Sequence, residues 1–140
     1  MSVPSQLALE LVTPDHAIVH EHVDEVELPG SEGYFGVLPG HTPLLAMLGV
    51  GEMWYRRGQD KSFISIAGGF VEVLHDRVIV LARVAERAED IDISRAEQAR
   101  LRAEKRLSTA AADLDIERAR LALLKQLTRL RVAQRARTRG

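Results

Sequence analysis

Residues 29–45 read PGSEGYFGVLPGHTPLL and carry the densest turn signals in the chain. Four glycines and three prolines stand in this segment. They favour tight turns, because glycine tolerates positive φ and proline fixes φ at about −65°. Apolar side chains lie between the turns. The residues alone therefore predict a β-corner, which either packs on its own core or presents a contact surface.

The flanking residues extend this pattern into an all-β domain. From Gln6 to about Val84, short apolar runs alternate with turn signals every ~8 to 12 residues. Leu7, Leu9 and Leu11 alternate with other residues and mark one face of the first strand. Further strands are predicted at 53–55, 63–67, 70–74 and 78–81, with a turn at 68–69. The pattern fits a sandwich or a barrel.

The composition changes at Ala85. Residues 85–140 contain no proline, no aromatic residue and no glycine except the last residue, and helix formers dominate. Asp92 or Ser94 is expected to cap a first helix, and Asp113 or Asp115 a second. Apolar residues recur at helical spacing at Ala96, Ala99, Ala103, Leu107 and Ala110, then at Ile116, Ala119, Leu123, Leu127 and Leu130.

These segments predict two helices of about 18 to 20 residues that form an antiparallel hairpin. Its alanine-rich seam removes little apolar area from water, so a better partner is expected to open the hairpin. The expected fold class is α+β. An N-terminal antiparallel β-sandwich covers residues 1–86, and a C-terminal antiparallel helical hairpin covers residues 87–140.

Charge divides the chain in the same way. The formal net charge of the 140 residues is −1. Residues 1–88 carry 12 acidic and 6 basic residues, whereas residues 89–140 carry 8 acidic and 13 basic ones. Such a skew predicts an acidic or negatively charged partner for the C-terminal half.

The sequence contains no recognisable catalytic motif. It has no cysteine, which excludes thiolate nucleophiles, disulfides and cysteine-based zinc sites. It also lacks the G-x-S-x-G elbow and the G-x-x-x-x-G-K-[ST] phosphate loop. His20 and His22 share a predicted strand face, but no third ligand stands at a recognisable spacing. We therefore expect neither an enzyme nor a metal site.

The uncharged stretch 33–51 approaches the ~20 residues of a membrane-spanning helix. Pro39, Pro43 and several glycines would leave backbone groups unpaired in lipid, so strand and loop are the better interpretation. The first residues lack the basic flank and apolar run of a signal peptide. We expect a protein that is not exported.

Three segments together resemble the epsilon subunit of the bacterial F-type ATP synthase. They are GSEGYFGVLPGHTPLL at 30–45, SIAGGFVEVLHDRVIVLA at 65–82 and DIDISRA at 90–96. The resemblance covers essentially the whole chain and implies a sandwich of about ten strands that binds the gamma subunit and the c-ring. It also implies a hairpin that folds against the sandwich or extends along gamma toward alpha and beta, where it inhibits ATP hydrolysis.

In this family the subunit performs no chemistry of its own and couples proton-driven rotation to ATP synthesis. The resemblance therefore implies a peripheral position on the cytoplasmic face of the bacterial cell membrane, held there only through the complex. The c-ring and gamma side corresponds to Tyr34, Phe35, Leu38 and His41. Tyr34 stands where some members carry an acidic residue.

The resemblance also assigns the inhibitory docking surface to the basic helix. Its candidate residues are Arg118, Arg120, Lys125, Arg129, Arg131 and Arg135. They would meet an acidic segment of the beta subunit, mainly to speed docking and fix its register. A solvated helix face is the alternative interpretation of any one of these side chains.

Residues 91–96, IDISRA, fit the I/L-D-x-x-R-A motif with which some family members bind ATP without hydrolysing it. The implied regulatory ATP site comprises Glu86, Asp92, Arg95, Ala96, Arg102, Lys125 and Arg129. No cofactor is required. Lys125 stands where good binders have arginine, and an ammonium does not reproduce a two-pronged guanidinium contact. Alternatively, Asp92 only caps the helix and Arg95 forms a surface pair.

Two other functions remain open at this point. The chain could be a stand-alone ATP-sensing module without a rotary partner, or a nucleic-acid-binding module that uses its basic tail. No aromatic residue follows Phe70, so nothing in the basic region can stack on bases. We therefore expect no nucleic-acid partner.

Overall fold

The computed structural model describes residues 3–139, with side chains described as far as Ala136. The strands are β1 (Leu7–Val12), β2 (Ala17–Val23), β3 (Glu25–Gly30), β4 (Gly33–Val37), β5 (Leu44–Arg57), β6 (Asp60–Val73) and β7 (Arg77–Arg87). A 3-10 helix (Ala88–Asp90) leads to α1 (Ile93–Thr109) and α2 (Asp113–Arg139).

The strands form one sheet in the order β2-β1-β7-β6-β5-β3-β4. All neighbours are antiparallel except β1 and β7. The sheet folds over on itself, because residues from both ends of this order share one core. Leu7, Leu9 and Leu11 of β1 are buried together with Val26 and Leu28 of β3. The expected α+β class, a sandwich followed by a helical hairpin, is confirmed.

The expectation of about ten strands is wrong, since residues 3–139 form seven. The predicted strands 63–67 and 70–74 are two halves of β6, which pairs with β5 on both sides of Gly68. Both glycines have positive φ, 80° and 126°, so they bend the strand without ending it. A Cβ on Gly69 would collide with the carbonyl oxygen of Leu81. The expected turn at 68–69 is therefore a bend within a long strand.

The glycine- and proline-rich segment folds into a hairpin and a tight turn. β3 and β4 pair as far as Gly30 and Gly33. Beyond β4, the His41 backbone N–H donates to the carbonyl of Leu38 at 3.1 Å, and Gly40 has φ of 88°. A proline second and a positive-φ glycine third are typical of a type II turn. This is one of the tight turns that the glycines and prolines of residues 29–45 were expected to form.

The helical hairpin follows most of the expected seam, but Leu127, which was predicted on this face, is exposed. The Arg95 backbone N–H donates to Asp92 Oδ1 at 3.1 Å, so Asp92 caps α1 and Ser94 lies inside it. Ala96, Ala103 and Ala119 are buried between the helices. α1 has 17 residues, but α2 has 27 and exceeds the expected length because no proline or glycine interrupts it.

The C-terminal part of α2 packs on the sandwich. Val132 and Ala133 are buried in a small apolar cluster with Ala88 and Ile91, against which Phe63 of β6 also packs. This cluster is separate from the sandwich core. The hairpin is thus attached mainly through the C-terminal part of α2, with Ile93 at the start of α1 packed on the same cluster.

Candidate functional site

An ion pair joins α2 to β7 near the middle of the hairpin contact. Arg129 Nη2 donates to Glu86 Oε2 at 3.1 Å, and Arg129 Nε lies 2.7 Å from Glu86 Oε1. The Nε contact is an electrostatic approach without hydrogen-bond alignment. Arg129 Nη1 donates to Gln126 on its own helix at 2.8 Å. Both partners of the ion pair are mostly buried, so solvent screens their attraction less than at an exposed site.

A second ion pair lies further along α2. Arg135 Nη2 lies 3.2 Å from Glu52 Oε1, and Arg135 Nε donates to Glu52 Oε2 at 3.3 Å. The Arg135 guanidinium carbon is also 5.1 Å from the centroid of the Phe63 ring, within the range of a cation–π contact. The Glu52 side chain is only 11% exposed, whereas that of Arg135 is 47% exposed. The sandwich therefore supplies the buried charge of this pair.

Three of the seven predicted nucleotide residues come together. Glu86, Lys125 and Arg129 line a cavity of about 150 Å³ between the sandwich and α2. Ligand pockets usually measure about 300 to 1,000 Å³. The cavity is thus small for a nucleotide, and the Glu86 carboxylate is already engaged by Arg129.

The other four lie on α1 or at its start. Asp92 caps the helix, Ala96 is buried in the seam, and the side chains of Arg95 and Arg102 are exposed. None of these four lines the cavity. The conformation described here thus separates the predicted ATP ligands into two groups, and the site stays a prediction.

On α1, a three-membered charge cluster stabilises the helix itself. Arg100 Nε and Nη2 donate to the Glu97 carboxylate at 2.9 and 3.0 Å, and Nη1 donates to Glu104. The hydrogen bonds from Arg100 lower the pKa of Glu97, and the two carboxylates raise the pKa of Arg100. These spacings of three and four support a helix independently of the sandwich.

The predicted c-ring and gamma residues occupy different environments. The Tyr34 ring is half exposed while its hydroxyl accepts from the Glu52 backbone N–H at 3.1 Å. Leu38 is exposed at the type II turn, whereas Phe35 is partly buried against the core. His41 is partly exposed, with Nδ1 2.6 Å from the carbonyl oxygen of Thr42. Tyr34 and Leu38 are therefore the more available contacts.

An exposed apolar surface adjoins these residues and was missed by the sequence analysis. Met47, Phe70 and Leu81 are direct neighbours across β5, β6 and β7, and each is at least half exposed. Leu45, two residues before Met47, is 73% exposed. We call Leu45, Met47, Phe70 and Leu81 the apolar face. The run LLAML at 44–48 was its signal, because consecutive apolar residues place side chains on both faces of a strand.

A groove of about 530 Å³ runs beside this face. Residues 30–35 and 44–47 line it, so it joins the β3–β4 hairpin to the apolar face. Tyr34 lines this groove and also a cleft of about 370 Å³ that includes Glu52, Arg131 and Arg135. The two partner surfaces expected from the sequence are therefore close neighbours.

The basic residues of α2 divide into two groups. Arg129 and Arg135 pair with the sandwich. Arg120 lies 3.5 Å from Glu117 on its own helix, while Arg118 and Arg131 are exposed and Lys125 is partly buried. Two of the charges proposed for inhibitory docking thus hold the hairpin in the observed position.

A sandwich with an exposed apolar face, joined to a lightly attached helical hairpin, is typical of a subunit that binds partners. Two family models match this chain. The beta-sandwich domain of the ATP synthase Delta/Epsilon chain matches residues 6–88, and the long alpha-helix domain of the same chain matches residues 89–134. This protein belongs to the family of ATP synthase delta/epsilon chains.

Curated relatives agree with this assignment. The ATP synthase epsilon chain of Solibacter usitatus is 53% identical over 103 residues, which are 74% of this chain and 77% of the relative. That of Syntrophobacter fumaroxidans is 48% identical over 130 residues, 93% of this chain and 97% of the relative. The predicted resemblance to the epsilon subunit is confirmed.

Solved structures carry the same architecture. A chain in the Euglena gracilis mitochondrial ATP synthase, OSCP/F1/c-ring in rotational state 1, superposes with a TM-score of 0.81 at 26% identity, covering 91% of this chain and 81% of that one. A chain in the central stalk and c-ring of Tetrahymena thermophila mitochondrial ATP synthase has a TM-score of 0.57 at 15% identity, covering 96% and 98%. The second likeness supports the fold alone.

Proposed function

We propose that this chain is a non-catalytic central-stalk subunit. Its sandwich binds the gamma subunit and the c-ring and couples their rotation to ATP synthesis, and its hairpin inhibits ATP hydrolysis. The observation that carries the proposal is the apolar face, which the hairpin leaves uncovered. Fully burying a large apolar side chain contributes about 1.5 to 3 kcal/mol, and half-exposed residues offer about half of that to a partner.

The sandwich is suited to coupling because its exposed contact residues stand on strands that the core holds in place. Met47, Phe70 and Leu81 stand on long strands whose other residues fill the core. Gamma is the proposed occupant of this apolar face. The neighbouring type II turn, with Leu38 and His41, is the proposed contact to the c-ring.

The hairpin is suited to regulation because its attachment is small. Among the side chains that the structure describes, one apolar cluster and the ion pairs of Arg129 and Arg135 connect it to the sandwich. In the extended position, Arg129 and Arg135 would exchange their sandwich carboxylates for acidic residues of the beta subunit. Because each arginine keeps an acidic partner in both positions, the hairpin can move between them with little net loss of ion pairing.

Regulatory ATP binding is part of the same proposal. ATP would bind the predicted residues on α1, among them Arg95 and Arg102. The same ATP would bind the predicted residues that line the cavity, which are Glu86, Lys125 and Arg129. Because Glu86 and Arg129 pair with each other, the ligand must first separate them. Bound, unhydrolysed ATP would then favour the folded hairpin by its differential affinity for that state.

The proposed location is the cytoplasmic face of the bacterial cell membrane, where the chain is held through the complex. Between residues 3 and 139, neither long helix contains the apolar run that a bilayer-spanning helix needs.

Capture of the gamma subunit from the same organism tests the proposal. Met47→Glu and Phe70→Glu should each weaken binding at least tenfold, about 1.4 kcal/mol, because a charge replaces a buried anchor. Leu101→Glu on α1 is the matched control, since Leu101 is as exposed as Phe70. Equal gamma affinity for all variants would contradict the assigned face. Absence of gamma binding with micromolar ATP affinity would favour the stand-alone sensor.

A further inference from the structure

We propose that Glu52, Phe63 and Arg135 form a clasp that sets the folded posture of the hairpin without any nucleotide. None of the three belongs to the predicted ATP residues, although Phe63 packs on the same apolar cluster as Ile91 and Ile93 of the motif at 91–96. The inference rests on the proposed mobility of the hairpin. It adds the device that determines how often the hairpin opens.

The first argument is the asymmetry of burial. Glu52 is a carboxylate almost fully buried on β5, and its charge-assisted contacts to Arg135 come from another domain. Removing one partner of a buried pair leaves an uncompensated charge that destabilises the arrangement strongly. When the hairpin leaves, water can reach Glu52. Losing the arginine therefore favours the open hairpin specifically.

The second argument is the shape of the contact. The Arg135 guanidinium reaches Glu52 with two nitrogens and also approaches the Phe63 ring. A planar guanidinium suits both contacts at once, whereas an ammonium suits neither equally well. Val132 and Ala133, three and two residues before Arg135, are buried against the same part of the sandwich. This part of α2 therefore packs on the sandwich at the same time as the clasp forms.

The third argument is independence from the Glu86–Arg129 pair. That pair lines the cavity assigned to ATP, so a bound nucleotide would disturb it. Glu52 and Arg135 of the clasp line a different cleft, together with Tyr34 and Trp54. A hairpin held at the clasp stays folded while the nucleotide site is empty.

Distance measurement in the isolated full-length subunit, without nucleotide, tests the clasp. The chain has no cysteine, so a spin label on each of Gln59→Cys and Ala111→Cys reports the separation of sandwich and hairpin tip. Arg135→Gln should raise the open-to-folded ratio about tenfold, and Glu52→Gln about threefold, because only the former strands a buried charge. Arg106→Gln, which removes an exposed arginine near the tip, is the matched control and should leave the ratio unchanged.

A variant that carries both Arg135→Gln and Glu52→Gln shows whether the two residues act as one pair or independently. Once Glu52 is neutral, loss of Arg135 strands no charge, so the double variant should open no further than Arg135→Gln alone. The clasp would be overturned if Arg135→Gln changed the open-to-folded ratio less than twofold relative to the control. It would also be overturned if the ratio in the double variant rose by the product of the two single changes. If Arg135→Gln fails to fold, Arg135→Lys should still open the hairpin a few-fold, and an unchanged ratio for it would also overturn the proposal.

The clasp and the inhibitory role fail in different experiments. If the label distances change as expected but the hairpin has no effect on hydrolysis in the assembled enzyme, the clasp is supported and inhibition is rejected. Unchanged distances in all clasp variants, with hydrolysis still sensitive to the hairpin, would reject the clasp and leave the proposed function intact.

Discussion

Glu86 on β7 and Arg129 on α2 lie 43 positions apart in sequence and form an ion pair with a closest approach of 2.7 Å. Both residues also belong to the predicted ATP site. In the folded hairpin they neutralise each other and connect the two domains. A nucleotide that used them would have to replace this pairing with contacts of its own.

Calorimetric titration of the full chain with ATP and Mg²⁺ should therefore give a measurable heat that Arg95→Ala abolishes. Arg95 is exposed and belongs to neither ion pair between hairpin and sandwich, so its loss removes a phosphate ligand without loosening the folded hairpin. Arg106→Ala, which removes another exposed arginine from α1, should keep the heat. No heat from the unaltered chain, or equal heat from Arg95→Ala, would contradict the ATP site.

Deleting residues 89–140 should raise ATP hydrolysis by the assembled enzyme several-fold and leave assembly intact. The sandwich keeps its own core without the hairpin, because the hairpin packs on a separate small cluster. Hydrolysis by complexes of matched subunit content, with and without these residues, is the measurement. Unchanged hydrolysis would count against an inhibitory role.

The features that depend on local spacing were predictable from the sequence. The cap at Asp92 and the buried seam at Ala96, Ala103 and Ala119 follow from helical periodicity and one short polar side chain. The type II turn follows from the order of proline and glycine in residues 38–41. Each of these features is settled by residues within one or two turns of chain.

The features that depend on register were not predictable in the same way. Met47, Phe70 and Leu81 become one surface only because three strands pair at particular positions. Glu52, which binds Arg135, lies 83 positions away from it, and no local pattern points to this pair. The miscounted strands have the same origin, since a glycine pair signals a turn locally but bends a strand when its neighbours continue the ladder.

Gly69→Ala should lower the free energy of unfolding by about 2 kcal/mol or more. The substitution forces a positive φ of 126° on alanine and drives its Cβ into the Leu81 carbonyl. Urea denaturation measures the change. Gly36→Ala is the control, because a Cβ there meets nothing within 4 Å and Gly36 is not among the positive-φ glycines. Equal stability of the two variants would show that the bend in β6 does not require glycine.

Asp24→Asn should destabilise the sandwich at neutral pH and lose this effect in acid. The Gly58 backbone N–H donates to Asp24 Oδ2 at 2.6 Å, Gln6 donates to Oδ1 at 3.2 Å, and these bonds, led by that from Gly58, lower the Asp24 pKa. A lowered folded-state pKa stabilises the protein above the unfolded value of about 3.9, and this stabilisation disappears as the pH falls through the folded-state pKa. The difference in urea midpoint between the two proteins should thus stay constant from about pH 7 to 5 and shrink below about pH 4. Asp15→Asn removes the same charge from an exposed turn and should show no such trend. A difference that grew on acidification would contradict the role of the ionised carboxylate.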